Sequence, residues 1–291
     1  MLLASGVAAV DAPQASAQAV EKPRRIVSLN LCTDQLVVLL ADRDANLPEA
    51  TWRIFRNQFG LSGHRRDKDA RRFAGSLLRV VLAILHAPAY QTDHRSALSA
   101  DWAHVPIPRD RTILDQAAVL GEQLASLMDA HRDAAETVIA LLGQGRAATL
   151  AQIHRTDGKP IRPKDLKVTV NYWGGARGRW VARPFLSDEE PLPAWGEQTG
   201  DLYIGDEVFF ANVPEAVWKY ELGGYPVLKK WLGYRQANRR DDQPLTTEER
   251  RWFKSVVQRI AALLALAPSL DELYSAASED AFTAEELGIE R

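Results

Sequence analysis

Residues 214–240 read PEAVWKYELGGYPVLKKWLGYRQANRR, two apolar-periodic halves parted by Gly223-Gly224. The spacing predicts two short helices joined at the glycines. Pro214 suits a first helical position, where its missing N–H would be unpaired in any case, and Gly223 suits the left-handed residue that ends a helix. The second helix begins after Pro226. At 100° per residue Val227, Leu228, Trp231 and Leu232 share one face, and Lys229, Lys230 and Gln236 the other. From Lys219 to Arg240 six cations (Lys219, Lys229, Lys230, Arg235, Arg239 and Arg240) oppose Glu221 alone, a local charge of +5 in a chain of net charge -2. Such an excess suggests a polyanion partner. Lysines that only solvate the outside of a helix pair give the same pattern.

Working outward, Thr246-x-x-Glu249 has the spacing of a capping box and opens a helix through Phe253, Val256, Val257, Ile260, Leu263 and Leu264 that Pro268 is expected to end. This helix is expected to close the core beneath the 214–236 pair. Upstream, Leu166, Val168, Val170 and Tyr172 alternate with Lys167, Thr169 and Asn171, the two-residue period of a half-buried strand. Gly174 to Arg179 then forms a basic turn before Trp180, Val181 and Phe185, giving a predicted hairpin. A second hairpin is expected from Leu202-Tyr203-Ile204 and Val208-Phe209-Phe210, split by Gly205-Asp206. Two long helices precede these strands. One carries Phe73, Leu77, Val80, Val81 and Ile84 and stops before Pro88; the other carries Ile113, Leu114, Ala117, Leu120, Leu124, Leu127 and Met128, with Asp110 or Thr112 as cap. Between them Val105-Pro106-Ile107-Pro108-Arg109 is a rigid connector, because each residue before a proline is pushed to extended geometry. The fold class expected is α+β, a helix-rich domain with a small antiparallel sheet and hairpins.

Three stretches carry a resemblance. WKYELGGYPVLKKWLGYRQ (218–236), PLTTEERRWFKSVVQRIAALLALAPSLDELY (244–274) and LLRVVLAILHAPAYQTDHRSALSADWAHVPIPRDRTIL (77–114) resemble the C-terminal specificity domain of type ISP restriction-modification enzymes. In that family the domain recognises the DNA target beside an adenine-specific DNA methyltransferase. The resemblance therefore implies sequence-specific target recognition on double-stranded DNA, in the cytoplasm, in defence against foreign DNA. It leaves room for a separate methyltransferase chain as a second partner.

The N-terminus reads differently. MLLASGVAAVDAPQASAQA (1–19) has the short apolar run and Ala-x-Ala pattern of a secretory signal without a positive leader, and is taken as truncated or non-functional. RRIVSLNLCTDQLVVLLAD (24–42) reads as one strand and one helix and is similar to the start of periplasmic substrate-binding proteins for cobalamin or iron chelates. The expected organisation is an atypical segment over 1–50 and the target-recognition domain over 51–291, with an acidic tail at 271–291. Thr51–Arg72, with Arg65, Arg66, Lys68, Arg71 and Arg72 clustered, reads as an exposed linker. A chain of 291 residues with 46% hydrophobic content can build a sizeable core. Cys32 is the only cysteine, which excludes an intramolecular disulfide and a cysteine-based zinc site. No run approaches the roughly 20 apolar residues of a bilayer span, so no membrane partner is expected.

Catalytic signatures are missing from the sequence. The methyltransferases that this chain resembles bind S-adenosylmethionine through a glycine-rich loop and hold the flipped adenine with an Asn-Pro-Pro-Tyr motif. No Asn-Pro dipeptide occurs, and Gly143-Gln144-Gly145 follows a helix rather than a strand. No cofactor is therefore expected in this chain; S-adenosylmethionine belongs to the full-length family. There is no Gly-Lys-Ser or Gly-Lys-Thr for a nucleotide phosphate and no Glu-x-Lys of a metal-dependent nuclease. The six histidines form no close ligand pair, and Ser28 and Ser62 lack a nucleophile elbow. Asp188-Glu189-Glu190 beside Pro191 reads as a solvated loop. What remains is DNA reading. Arg177 and Arg179 on the glycine-rich tip are candidates for bidentate contacts to guanine. Lys229, Lys230, Arg239 and Arg240, with Arg235 in the same basic run, are candidates for phosphate contacts. Trp173 and Trp180 suit either a stacking role or the core.

Overall fold

The structure, a computed structural model, describes residues 49–64, 67–100, 103–172, 178–239 and 241–287. The leader, the strand and helix expected over 24–42, Trp173, Arg177 and Arg240 lie outside these residues.

Helix α1 (Glu49–Phe59) buries Thr51, Trp52 and Phe55 at helical spacing. The Phe55 and Phe59 rings lie 5.5 and 5.6 Å from Phe73, and Phe55 lies 5.5 Å from Phe282. This overturns the reading of Thr51–Arg72 as an exposed linker. The charges after Ser62 dominate that stretch by number, but the aromatic spacing before Gly60 decides where it packs. Helix α2 (Lys68–Leu85) ends before Pro88, as its period predicts. Pro88 also opens α3 (Pro88–Asp93), because a proline's missing donor costs nothing in a first turn. The short α4 (Arg95–Ala100) and the connector lead to α5 (Arg111–Met128). Asp110 caps α5, its Oδ1 accepting from the Thr112 and Ile113 N–H groups at 2.6 and 3.3 Å. Helices α2 and α5 cross in contact at Gly121, where an added Cβ would lie 2.0 Å from the Arg79 carbonyl oxygen.

Helices α6 (Ala135–Leu142) and α7 (Gln144–Thr149) meet at Gly143, whose φ of 80° makes the corner. A four-stranded antiparallel sheet follows, in the order β1 (Gln152–Arg155), β4 (Val208–Pro214), β3 (Thr199–Tyr203), β2 (Trp180–Arg183). The β3–β4 hairpin is the one expected around Gly205-Asp206. The hairpin expected between 166–172 and Trp180 does not form, because β2 pairs with β3 instead. Leu166, Val168 and Tyr172 are buried at period two as expected. Their main chain, however, bonds across the domain: Thr169 and Val170 donate to the Ile204 carbonyl at 2.8 and 3.2 Å, and Ala237 donates to the Val168 carbonyl at 2.9 Å. Alternation reports which side chains face inward; it does not say which strand lies alongside.

Helix α8 (Glu215–Lys219) is only five residues long. Gly223 and Gly224 do not end it. They form the two-residue turn between β5 (Glu221–Leu222) and β6 (Tyr225–Pro226), with φ values of 57° and 77°. Two consecutive positive φ angles are what a tight hairpin of this twist requires, and glycine reaches them without strain. Helix α9 (Val227–Gly233) buries Leu228, Trp231 and Leu232 as its period predicts.

The last helix, α10 (Thr247–Glu279), has the expected capping box: the Glu249 N–H donates to Thr246 Oγ1 at 3.1 Å, and the Thr246 N–H donates to Glu249 Oε2 at 3.0 Å. It runs through Pro268 rather than ending there. An interior proline costs about 3 kcal/mol, which the burial of Leu270, Leu273 and Ala277 beyond it more than offsets. By length and composition alone α10 is long and apolar enough to cross a membrane, against the sequence expectation. Here it is the helix common to two apolar clusters. Phe253, Val257, Ile260 and Ala261 pack with the sheet and α9, while Leu266, Leu270 and Leu273 pack with α1, α2 and α5. The segment after α10 docks as well, with Phe282 and Leu287 buried and Arg109 paired to both Asp280 and Glu286.

Candidate nucleic-acid interface

The basic run is built on α9 and the hairpin before it. Trp231, on the inner face of α9, stacks on Trp252 of α10 at 5.4 Å and 15° and meets Phe253 at 5.0 Å. That packing turns the lysines outward. Lys230 Nζ lies 4.9 Å from the Tyr225 ring centroid and 5.6 Å from that of Tyr234, a distance at which the ammonium is drawn to both ring faces. Tyr225 and Tyr234 are 62% and 51% exposed. Lys229 is half-buried next to Lys230, and Arg239 is exposed on a one-turn 3-10 helix (Ala237–Arg239).

Two of the six cations in this run hold the fold. The Arg235 guanidinium carbon lies over Trp231, 3.7 Å from the ring centroid, and its Nε donates to Glu249 Oε1 at 3.0 Å. It thereby ties α9 to the capping box of α10. Lys219 pairs with Glu215 one turn earlier at 2.5 Å. The +5 of the sequence is reduced accordingly; Lys229, Lys230 and Arg239 are the other cations of this run among the described residues.

The second candidate group sits at the rim of the sheet. The Arg179 guanidinium lies over Tyr203 at 4.2 Å and 3.9 Å from Asp206. Arg177 is outside the described residues; Tyr172 and Gly178, which are described, pack against each other. Tyr172 is 2% exposed and its hydroxyl donates to the Tyr203 carbonyl. Gly178, at φ 72°, lies against the Tyr172 ring so closely that a Cβ would come within 2.1 Å of it. Burial pushes the Tyr172 phenol up, with Arg179 opposing, so this anchor stays neutral. The two groups belong to one hydrogen-bonded unit. The Gln236 amide, just after α9, donates to the Val170 carbonyl at 2.9 Å and to Asn171 Oδ1 at 3.3 Å.

Trp180 serves the core. Its Nε1 donates to the Val213 carbonyl at 2.9 Å, and its indole covers Gly200, where a Cβ would come within 2.2 Å. The acidic loop differs from its reading. Glu189 is only 4% exposed, and the Arg183 guanidinium grips its two oxygens at 2.6 and 2.8 Å. Burial by itself would raise this carboxyl; the bonds from Arg183 and from the Leu186 N–H at 2.6 Å override it and hold it low. Among the described residues no group of His, Cys, Asp and Glu could hold a metal ion. A groove of about 740 Å³ lies elsewhere, between α5 and α10. Its walls include Val119, Leu120, Leu273 and Ala276, and of the charged residues that line it Arg111 and Asp115 pair with each other at 2.9 Å.

The sequence does not single out the exposed Leu222, Tyr225, Tyr234 and Trp252, of which Tyr225 and Tyr234 flank Lys230. The Lys230-x-x-x-Tyr234 spacing, one helical turn, was the available signal for part of this set.

A family model described as the type ISP C-terminal specificity domain matches residues 14–262, most of the chain. No curated protein and no solved structure matches.

Proposed function

This chain belongs to the type ISP C-terminal specificity domain family, and its role is specificity in restriction-modification; from that premise we propose that it binds double-stranded DNA in a sequence-specific manner as the target-recognition portion of such a system. The observation that carries the proposal is the placement of Lys229 and Lys230 side by side on α9, on the face opposite the buried Leu228 and Leu232, with Arg239 on the 3-10 helix that follows. In this reading Lys229, Lys230, Arg239 and Arg240 neutralise phosphates, which gives affinity and register. Arg177 and Arg179 read base edges, Arg179 from the rim of the sheet beside Tyr203. Arg235 acts at one remove, by holding α9 against α10. The adenine-specific methyl transfer and its S-adenosylmethionine belong to a methyltransferase partner, the location is cytoplasmic, and the outcome is defence against foreign DNA.

Titration of a labelled duplex at two salt concentrations tests the proposal. Binding is expected to weaken steeply with salt, the log–log slope growing by about 0.9 for each phosphate contact. Lys229→Gln with Lys230→Gln should flatten that slope by roughly 2. Absence of binding at low salt would overturn the reading. The assignment of base readers has its own check on a target selected from randomised DNA. Arg179→Ala should cost about 1–3 kcal/mol on the selected site and little on random duplex, whereas the lysine pair should cost both alike.

A further inference from the structure

We infer that the Leu222–Tyr225 hairpin tip is a wedge that enters the DNA base stack and opens one base step, with Lys229 and Lys230 on the flanking phosphates. The inference rests on the DNA-binding reading above and adds to it a mode of engagement that reading base edges in a groove does not require.

Four consecutive residues, Leu222, Gly223, Gly224 and Tyr225, are exposed. Leu222 and Tyr225 are 52% and 62% exposed, and neither belongs to an apolar cluster of the core. They are direct partners across the β5–β6 pair, so their side chains stand next to each other on one face of the hairpin. The turn beyond them is bare main chain, and a Cβ built on Gly224 meets nothing within 4 Å. The tip is therefore thin, apolar on one face and open on its far side. Proteins that kink duplexes use side chains of this kind, leucine among them, to part adjacent base pairs. An exposed tyrosine ring finds no π-face on an intact duplex; it finds one when a base step opens.

The cations are placed to match. Lys230 sits between the rings of Tyr225 and Tyr234, at the base of the tip, with Lys229 beside it. An apolar insertion is opposed by the cost of unstacking, and charge neutralisation of the phosphates beside the opened step offsets it. On the hairpin itself Glu221 is the one acidic residue. The surface thus combines an apolar wedge with local positive charge, which fits a nucleic acid better than an apolar protein face.

The test compares two duplexes of equal length and sequence, one carrying a single unpaired nucleotide. Where the stack is already open the wedge enters without the unstacking cost, so the protein is expected to bind the bulged duplex about tenfold more tightly. A 2-aminopurine beside the bulge should change its fluorescence on binding. Leu222→Ala with Tyr225→Ala should bring the ratio of the two affinities to unity; Lys229→Gln with Lys230→Gln should weaken both duplexes and keep the ratio. Melting curves accompany each variant, and Tyr225→Ser alone, expected to lower the ratio, serves if the double variant melts early. If the protein binds neither duplex, the DNA-binding reading itself fails. If it binds both equally, or if the tip variants keep the ratio, the wedge is overturned while DNA binding stands. A tip variant that instead converts a dimer to a monomer would assign the patch to contact between copies of the chain and overturn the wedge as well.

Discussion

Arg259 reaches from α10 to the end of α5 and donates to the carbonyls of Ser126, Leu127 and Asp129 at 2.9, 3.0 and 2.9 Å, and to that of Arg132. Ser126 and Leu127 lie in the last turn of α5, whose carbonyls the helix leaves without partners, and a cation there also meets the negative end of the helix dipole. Arg259→Gln is expected to cost about 2–3 kcal/mol, the value of charged hydrogen bonds lost at a partly buried site, read as a lower urea midpoint with unchanged slope. A carboxylate cluster gives a pH prediction. Arg155, its side chain 8% exposed, meets Asp157, Asp165 and Glu207 at 2.7, 2.7 and 2.5 Å. Asp165 is held at about 2, chiefly by bonds from Arg162. Asp157 is also held at about 2, where partial burial is overridden by Lys159 and Arg155. A carboxyl whose folded pKa lies below its unfolded value of about 3.9 stabilises the fold above that pH and loses the contribution as pH falls toward the folded value. Urea midpoints should therefore drop between about pH 4 and about pH 2, and Arg155→Met should make that drop shallower. Caps were legible residue by residue, because Asp110 and the Thr246–Glu249 pair act on N–H groups two or three positions away. Glu189 was not legible, because its neighbours in sequence are acidic and its partner Arg183 becomes its neighbour only once the loop closes.

Elements whose evidence is local periodicity were read well. α2 and α9 bury the faces their spacing assigns, and α5 does so except at Met128, the last residue of its expected stripe, which is 41% exposed. The misses share a cause, which is that a local signal yielded to packing at a distance. Gly223-Gly224 carries the local signal of a helix end, yet the helix before it stops at Lys219 and the glycines serve a hairpin. Pro268 carries the local signal of a stop, yet its ring lies on the exposed side of α10 and the chain beyond continues to find apolar partners. Pro268→Ala restores the missing main-chain donor without burying anything new. It is expected to stabilise the protein by about 1–3 kcal/mol, seen as a higher melting temperature with the same helix content. A lower melting temperature would mean that α10 needs the bend proline gives it. The same distinction runs through the candidate interface. The lysines of α9 could be placed from the sequence because they oppose an apolar stripe. The exposed Tyr225 and Leu222 could not, because their exposure depends on a hairpin that stands at the expected junction of two helices.

At the scale of the whole molecule α10 matters most, since its first half lies in the cluster under the sheet and its second half in the cluster of α1, α2 and α5. Leu263 touches both clusters, and Arg259 bonds the end of α5 from between them. A helix is cooperative along its length, so loss of one cluster leaves half of α10 apolar and unsupported and weakens the other cluster. The two should unfold together. Tryptophans report on each side, with Trp52 in the helical cluster and Trp195 under the sheet, where its Nε1 donates to the Ala261 carbonyl at 3.1 Å. Urea curves followed by circular dichroism and by tryptophan fluorescence should coincide in a single transition. Leu273→Ala, a buried truncation in the helical cluster alone, should lower both curves equally, by about 2–4 kcal/mol. A variant in which the Trp195 signal keeps its midpoint while helicity is lost earlier would show that the sheet half holds its part of α10 by itself, and that the basic surface on α9 stands without the helical layer.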